Sequence, residues 1–164
     1  MKRILNYNQS LEIYKCPADR STAKIGNKTY PRVRSISMNG NMNGDSWYTA
    51  EIKNTHYTFR KYSEIIQPPP AQAFVFLDEH PDGIDGGYFL VFVNRKQLWG
   101  NMPANYHNGA CGLSFADGHA EIRKWQDPDT LSRKIVANPK GPRDVPWIQV
   151  RTSSPIKEGT PWPP

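Results

Sequence analysis

The chain lacks any long apolar run. No stretch of its 164 residues approaches the roughly 18 consecutive apolar residues that a membrane-spanning helix needs. The N-terminal stretch MKRILNYNQSLEIYK also holds no apolar run long enough for the core of a signal peptide. We therefore predict no membrane span in this chain, and a cytoplasmic location if it is expressed as given.

Cysteine is scarce. The two cysteines, Cys16 and Cys111, lie far apart and do not have the spacing of a metal-ligand pair. Cys111 has the same strand parity as Leu113 and Phe115, and this parity predicts a thiol that points into the core. Two alternatives stay open: a buried free thiol at Cys111, and a Cys16–Cys111 disulfide.

Runs of like charge are absent too. The net charge is +6, but the basic residues are scattered and never form a run of five. A basic balance attracts anionic partners such as nucleic acid, phosphorylated surface polymers or lipid headgroups. Nucleic-acid modules usually cluster their basic residues or interleave aromatic residues with them. We therefore do not expect this chain to bind nucleic acid.

Two common catalytic motifs are missing. No serine lies in a Gly-x-Ser-x-Gly turn, which is the nucleophile signature of many hydrolases. The glycine-containing segment GNMNG (40–44) lacks the lysine and the strand–helix frame of a phosphate-binding loop. The sequence also assigns no base to Cys16. It therefore points to no familiar enzyme class.

Turn-forming residues, by contrast, are abundant. Fifteen prolines and twelve glycines predict many turns and little regular helix. Large rings make a modest core feasible, because aromatic residues make up 12% of the chain and each buries a large area. We expect one globular domain over 1–154, followed by a proline-rich tail over 155–164.

The apolar pattern predicts an α+β fold. Continuous apolar runs indicate buried strands over 73–79 and 88–94, which we expect to pair antiparallel and to join a hairpin over 112–125. The result is an antiparallel sheet of about four strands with short helices and long loops. Further predicted elements are an amphipathic segment over 1–20, strands within 32–38, helical turns over 60–66, and helices over 128–137 and 144–152.

The predicted hairpin lies within YHNGACGLSFADGHAEIRKW (106–125). Asp-Gly between alternating runs is a strong signal for a two-residue turn, here Asp117-Gly118. Pairing outward from that turn sets Phe115 opposite Ala120 and Leu113 opposite Ile122. These four residues then share an apolar face, and the opposite, mostly polar face carries Ser114, Ala116, His119, Glu121 and Arg123.

Four carboxylates lie close together in DEHPDGIDG (78–86), namely Asp78, Glu79, Asp82 and Asp85. A cation lowers the repulsion among them, and calcium takes several oxygen ligands from flexible loops. The spacing is not that of an EF-hand. The four residues are candidate calcium ligands. The alternative is that Asp82-Gly83 and Asp85-Gly86 are turn residues chosen for backbone reasons.

Histidines near carboxylates suggest a zinc or hydrolytic site, since catalytic zinc keeps three protein ligands and one open position. No pair has the i, i+4 helical spacing of a metalloprotease. We expect His107 to pin its loop to the hairpin, because neutral imidazole donates to one neighbour and accepts from another. A metal-dependent hydrolase is still one alternative function, built around Asp78, His80, Asp117 and His119.

Tryptophan suggests a second alternative. Exposed rings stack on sugars, so the chain could be a carbohydrate-binding or adhesive module that uses exposed Trp and Tyr. Single tryptophans more often pack in a core or at its edge. The five candidates are Trp47, Trp99, Trp125, Trp147 and Trp162.

A histidine, nine intervening residues and Asp-Gly follow one another at His107 and Asp117-Gly118. This spacing resembles the motif of the bacterial prepilin-type processing-associated H-X9-DG family. Members of that family are similar to type II secretion pseudopilins. Four more segments resemble that family in the family's order: IYKCPADRS (13–21), RSISMNGNMNG (34–44), FVFLDEHPDGIDGGYF (74–89) and DVPWIQVRTS (144–153). The family begins with a prepilin signal and a long apolar helix, and this sequence shows neither. The resemblance therefore covers the family's soluble head.

The resemblance implies a pseudopilin-like head with a non-enzymatic role in a surface or secretion assembly. Its structural motif corresponds to His107, Asp117, Gly118 and His119, and its implied partners are pilin-like or secretion-system components or surface polymers. The family also implies an exported or cell-surface location, which a disulfide would suit. Some pseudopilins hold calcium in a head loop, which favours a calcium ion, and no other cofactor, at the acidic loop.

Overall fold

Two β-sheets and two short α-helices form the described part of the chain, which confirms the predicted α+β class. The structure, a computed structural model, describes residues 9–44 and 46–156. Short 3-10 turns cover Leu11–Tyr14, Tyr62–Glu64 and Pro81–Gly83. The regular elements are β1 (Thr22–Ile25), β2 (Lys28–Pro31), β3 (Ile36–Asn39), α1 (Trp47–Ile52), β4 (Phe74–Asp78), β5 (Tyr88–Phe89), β6 (Ala110–Phe115), β7 (Ala120–Lys124) and α2 (Asp144–Thr152).

The main sheet has five strands in the order β5-β3-β4-β6-β7, and β1 pairs only with β2. All neighbours in the main sheet are antiparallel except β3 and β5, which are parallel. The predicted pairing of 73–79 with 88–94 is therefore wrong, because β4 lies between β3 and β6. The second run is a strand only at Tyr88–Phe89. Beyond it, Leu90 exchanges backbone and side-chain hydrogen bonds with Asn101 rather than with a strand.

The larger of two buried clusters among the described residues lies on one side of this sheet, which we call the packed face. A smaller buried cluster of Met42, Phe59, Ile65 and Ala73 packs against Met38, Val75 and Ala116. Phe74, Leu77, Leu113 and Phe115 of the sheet join the larger cluster. The helices contribute Tyr48 and Ile52 from α1 and Val145 and Ile148 from α2, and the loops contribute Trp99 and Trp125. The two tryptophan rings meet edge to face at 5.8 Å, a favoured arrangement for aromatic pairs. Large rings thus build the core that the composition predicted.

The hairpin forms, but its register differs from the prediction by one residue. Ser114 pairs with Ala120, and Gly112 pairs with Ile122. A shift of one residue moves every side chain of a strand to the opposite face. Ile122 consequently lies on the face opposite Leu113 and is 66% exposed.

The shift comes from a three-residue loop, Ala116–Gly118, in place of the predicted two-residue turn. Phe115 N donates to His119 O at 2.9 Å, and Gly118 N donates to Phe115 O at 3.0 Å. A two-residue primed turn needs positive φ at both central residues, whereas this loop type needs it only at its last residue. Gly118 has φ of +96° and is the loop's only residue with positive φ.

The predicted helices have mixed outcomes. The helix over 144–152 is confirmed as α2, and the turns predicted over 60–66 form the 3-10 turn Tyr62–Glu64. The helix predicted over 128–137 is wrong. Asn105 Nδ2 donates to the carbonyls of Thr130 and Ser132, at 3.0 and 2.6 Å, which occupies groups that a helix would use.

The sequence analysis predicted neither the β1–β2 hairpin nor α1. Helix α1 starts from a reciprocal cap between Ser46 and Thr49, which satisfies free amides at its first turn. Residues 1–8 of the predicted amphipathic segment and 157–164 of the predicted tail lie outside the described residues. Ile156 N donates to Thr55 O at 2.8 Å.

Candidate functional site

The side of the sheet opposite the core is only partly covered, and we call it the open face. A groove of about 630 Å³ runs between this face and the N-terminal segment 12–17. Its lining includes Ile13, Cys16, Ile36, Phe76, Gly112 and Ile122. Strand β7 forms one edge of the main sheet, and four of its five residues are exposed.

Ser35 holds the N-terminal segment against the sheet. Ser35 N donates to Tyr14 O at 2.9 Å, and Cys16 N donates to Ser35 Oγ at 2.7 Å. The turn Leu11–Tyr14 precedes these contacts and is capped by Ser10, whose Oγ accepts from Glu12 N. These bonds place the Cys16 thiol at one end of the groove.

Cys16, Asp78 and His107 meet at this end. Cys16 Sγ lies 3.4 Å from His107 Nε2, and the same Nε2 lies 3.3 Å from Asp78 Oδ2. All three ligand-type atoms lie within 4.8 Å of one another. Over 9–44 and 46–156, this is the only group of three or more His, Cys, Asp or Glu side chains that meets this criterion. We call it the Cys-Asp-His cluster.

The backbone fixes two members of the cluster. Gly112 N donates to Asp78 Oδ2 at 3.0 Å, so strand β6 orients the carboxylate at the end of β4. A Cβ at position 112 would lie 3.2 Å from that oxygen, which explains a glycine there. His107 N donates to Ala110 O at 3.3 Å, and the Tyr106 ring lies 4.8 Å from the imidazole. The predicted role of the His107 imidazole, pinning its loop to the hairpin, stays a prediction, because the hydrogen bond to Ala110 is made by the His107 backbone.

Tyr106 shows the electrostatic character of the site. Burial raises the pKa of the Tyr106 phenol, and the nearby negative charge of Asp78 raises it further. The phenol therefore stays neutral at physiological pH. It supplies a polar but uncharged wall beside the Cys-Asp-His cluster.

Glu79 has a different environment from its neighbour Asp78. It is fully buried, accepts a hydrogen bond from Ser37 Oγ and lies 3.7 Å from Arg34 Nη1. Burial raises the pKa of Glu79 to about 7, against the opposing effects of Ser37 and Arg34. Because successive strand residues alternate faces, Asp78 and Glu79 point to opposite sides of the sheet.

The four carboxylates proposed for calcium do not converge. Asp78 joins Cys16 and His107, whereas Glu79 joins Ser37 and Arg34. Asp82 lies in a 3-10 turn, where its backbone N donates to His80 Nδ1 at 3.2 Å. Burial lowers the pKa of His80. The Asp85 carboxylate accepts from Gly86 N, as expected of a turn residue. A calcium ion on this loop stays a prediction.

The hydrolase quartet is also divided. Asp117 and His119 lie at the hairpin tip, where their side chains pair at 2.6 Å, and the His119 ring stacks on Phe115 at 4.4 Å. The hydrogen bond from His119 lowers the pKa of Asp117. The tip adjoins Phe74, because Phe74 pairs with Phe115. Four residues of strand, or about 13 Å, separate Phe74 from Asp78.

Cys16 is the site residue that the sequence analysis missed. Its partner His107 is 91 positions away, and strand parity says nothing about a residue in a loop. The available signal was that Cys16 falls in IYKCPADRS, one of the segments that carry the family resemblance. The prediction that Cys111 is buried is confirmed, and the disulfide alternative is wrong, because both thiols are free.

The described tryptophans do not form a flat sugar-binding platform. Trp99 and Trp125 are buried, and Trp147 is half-buried, with the guanidinium groups of Arg123 and Arg151 lying over its ring. Trp47 is exposed, but its ring is tilted by 58° to that of Phe92. Trp162 lies outside the described residues.

No protein-family model, curated protein or solved structure matches the chain. Neither α-helix of the described part is long and apolar enough to cross a membrane.

Proposed function

We propose that this chain is the head of a pilin-like protein and acts by binding, without catalysis, in a surface or secretion assembly. The resemblance of five ordered segments to the H-X9-DG family motivates the proposal. The observation that carries it is the apolar groove on the open face. Apolar surface that stays exposed on a folded domain commonly marks a site of protein–protein contact.

The residues of the groove fit a protein partner. Ile13 and Ile122 are exposed, and Ile36 and Phe76 form the floor between them. Burying such side chains against a partner contributes about 1.5–3 kcal/mol for each one fully removed from water. Glu12, Lys15 and Glu121 bring charges of both signs to the lining. Such a surface suits an apolar segment of another subunit with polar flanks.

The free backbone edge of β7 is less suited to binding a partner than the groove is. Its exposed side chains include Glu121 and Lys124, and charged residues on an edge strand oppose pairing with another chain. The partner therefore contacts the side chains of the open face rather than adding a strand to the sheet.

A photocrosslinking experiment tests this proposal. A photoreactive amino acid replaces Ile122 in the groove, and in a control protein it replaces Ile25 of β1. The two positions are well matched, because both are strand isoleucines with 66% and 69% exposure. Irradiation in the host cell is followed by identification of the crosslinked protein.

We expect the protein labelled at position 122 to crosslink to a pilin-like or secretion-system subunit, and the protein labelled at 25 not to do so. Equal crosslinking from both positions, or no adduct from position 122 in cells that make the assembly, would contradict the proposal. An adduct with only unrelated proteins would contradict it as well.

The two alternatives gain no support from a specific contact. The hydrolase requires Asp78, His80, Asp117 and His119 in one pocket, and the hairpin tip lies away from the first two. The sugar-binding module requires coplanar exposed rings, which the described tryptophans do not provide. Both stay predictions from the sequence.

A further inference from the structure

We propose that the Cys-Asp-His cluster is a binding site for a divalent transition-metal ion, zinc in the first instance, with a fourth coordination position open to the groove. This inference goes beyond the proposed function, because a structural head needs no metal. It also differs from the predicted calcium site in position and in ligand chemistry.

Three donor atoms converge on one place. Cys16 Sγ and Asp78 Oδ2 both approach the same imidazole nitrogen, Nε2 of His107, at 3.4 and 3.3 Å. In a nucleophile–base–carboxylate relay, the thiol and the carboxylate would contact different ring nitrogens. A single N–H also cannot point at both neighbours. A cation between the three atoms satisfies all of them at once.

The distances among the three donor atoms suit a zinc ion. Tetrahedral zinc with a Zn–S bond of about 2.3 Å and Zn–N or Zn–O bonds of about 2.05 Å places S and N about 3.6 Å apart, and N and O about 3.3 Å apart. The observed S–N and N–O separations of 3.4 and 3.3 Å are close to those edges. The third separation, from Cys16 Sγ to Asp78 Oδ2, is at most 4.8 Å, so adjustment of the side chains to bind the ion falls mainly on this edge.

The chemical types of the three donor atoms also favour zinc. Thiolate and imidazole are ligands that zinc and similar ions prefer, whereas calcium and magnesium take oxygen ligands. One thiolate and one carboxylate neutralise the charge of a divalent ion, and the neutral imidazole completes the set. This donor set selects against calcium.

A backbone amide orients one ligand of the site, and the groove leaves the site open to solvent. Gly112 N orients the carboxylate, as the outer shell of a metal site commonly does. Cys16 and Asp78 also line the groove, so a water molecule or a partner's side chain can reach the remaining position. Three protein ligands with an open position are typical of zinc sites that exchange a ligand.

A bound ion would also join distant parts of the chain. Cys16 lies in the N-terminal segment, Asp78 ends β4, and His107 lies in the loop before β6. Coordination would hold the N-terminal wall of the groove against the sheet. Metal occupancy and the shape of the groove are thus coupled.

The test uses the full chain, freed of metal by chelation under reducing conditions. Zinc affinity is measured by competition with a chromophoric chelator, and Co²⁺ serves as the optical probe. The test variants are Cys16→Ser and His107→Gln. The matched controls are Cys111→Ser, which removes the other thiol, and His119→Gln, which removes an exposed histidine. Circular dichroism of the metal-free proteins checks that each variant is folded.

We expect one zinc ion per chain and a thiolate-to-cobalt charge-transfer band in the wild-type protein. Cys16→Ser should abolish the band, and either test variant should weaken zinc binding by at least about 100-fold, since losing an outer-shell partner alone costs about 10- to 100-fold. Both controls should retain the band and the wild-type affinity. Zinc should also slow alkylation of Cys16 in the wild-type protein, a measurement that needs no variant.

Three results would overturn the site. They are a wild-type chain that binds no zinc, an affinity that does not change in folded Cys16→Ser or His107→Gln, and an alkylation rate of Cys16 that zinc does not alter. Loss of the cobalt band in Cys111→Ser but not in Cys16→Ser would assign the metal to the other thiol and would also overturn it.

Discussion

The two faces of the main sheet have different environments, although the same strands build both. Strand β4 sends Phe74 and Leu77 into the packed face, where both are buried, and Phe76 to the groove of the open face. The next two residues show the contrast again. Asp78 meets Cys16 and His107 beside the groove, whereas Glu79 is enclosed with Ser37 and Arg34. We infer that the packed face supplies stability and the open face supplies binding.

The largest expected effect comes from the aromatic residues of β4. Phe74→Ala should lower the free energy of unfolding by about 3–5 kcal/mol, because it leaves a cavity among buried rings. Phe76→Ala on the open face should cost about 1 kcal/mol, since that side chain is only partly buried. Chemical denaturation of both variants measures the difference. Equal losses would mean that the open face is part of the core.

The second prediction concerns Glu79 and pH. Its ordinary pKa of 4.5 rises to about 7 in the folded chain, so folding favours the neutral acid. That contribution is fully present below about pH 4.5 and is lost as the pH rises towards 7. Glu79→Gln cannot ionise, so it should be more stable than wild type at pH 8, by an amount on the order of 3 kcal/mol.

Denaturation at two pH values checks this prediction. At pH values below about 4.5, both proteins carry a neutral side chain at position 79, and their stabilities should agree within about 1 kcal/mol. A wild-type advantage at pH 8 would show that the ionised carboxylate is stabilised by Arg34 and Ser37 more than burial opposes it.

The third prediction tests the register that separates the two faces. Gly118→Ala should cost about 1–2 kcal/mol, because residue 118 needs a positive φ that a side chain resists. Asp117→Ala should cost less than Gly118→Ala, since the two bonds that Asp117 makes to His119, at 2.6 and 3.2 Å, are exposed at the hairpin tip. Thermal unfolding of both variants measures these costs. Equal costs would favour the two-residue turn and the register predicted from the sequence.

The smallest effect is expected on the open face itself. Ile122→Ser should change the free energy of unfolding by no more than about 0.5 kcal/mol, because the side chain is already 66% exposed in the folded chain. A loss of about 2 kcal/mol or more in chemical denaturation would place Ile122 in the core. That result would restore the apolar face that the alternating pattern predicted.

The sequence predicted the positions of helices and strands better than the pairing between strands. Alternation located the β6–β7 hairpin, and the helix predicted over 144–152 is α2. The register was wrong because Asp-Gly fits both a two-residue and a three-residue loop. What decides between them is that β7 forms the edge of the sheet, and a local pattern cannot show this.

Long-range contacts account for the other differences. The helix expected over 128–137 is lost to hydrogen bonds from Asn105, which lies more than twenty positions earlier. The candidate site depends on a contact between Cys16 and His107, and no periodicity connects a loop cysteine to a loop histidine. Asp78 was predicted as a ligand, but with Glu79 in a calcium loop, or with His80, Asp117 and His119 in a hydrolase, and in neither case with Cys16.

The proposed binding role of the open face has a direct test in the host cell. Ile122→Arg and Ile25→Arg each place a charge at a strand isoleucine of similar exposure, 66% and 69%, on the open face and on the separate hairpin. The amount of each variant that joins the surface or secretion assembly is compared with wild type, after confirming that both melt at the wild-type temperature. We predict that Ile122→Arg is excluded from the assembly and that Ile25→Arg enters it normally. Equal incorporation of the two variants would contradict the proposed role of the open face.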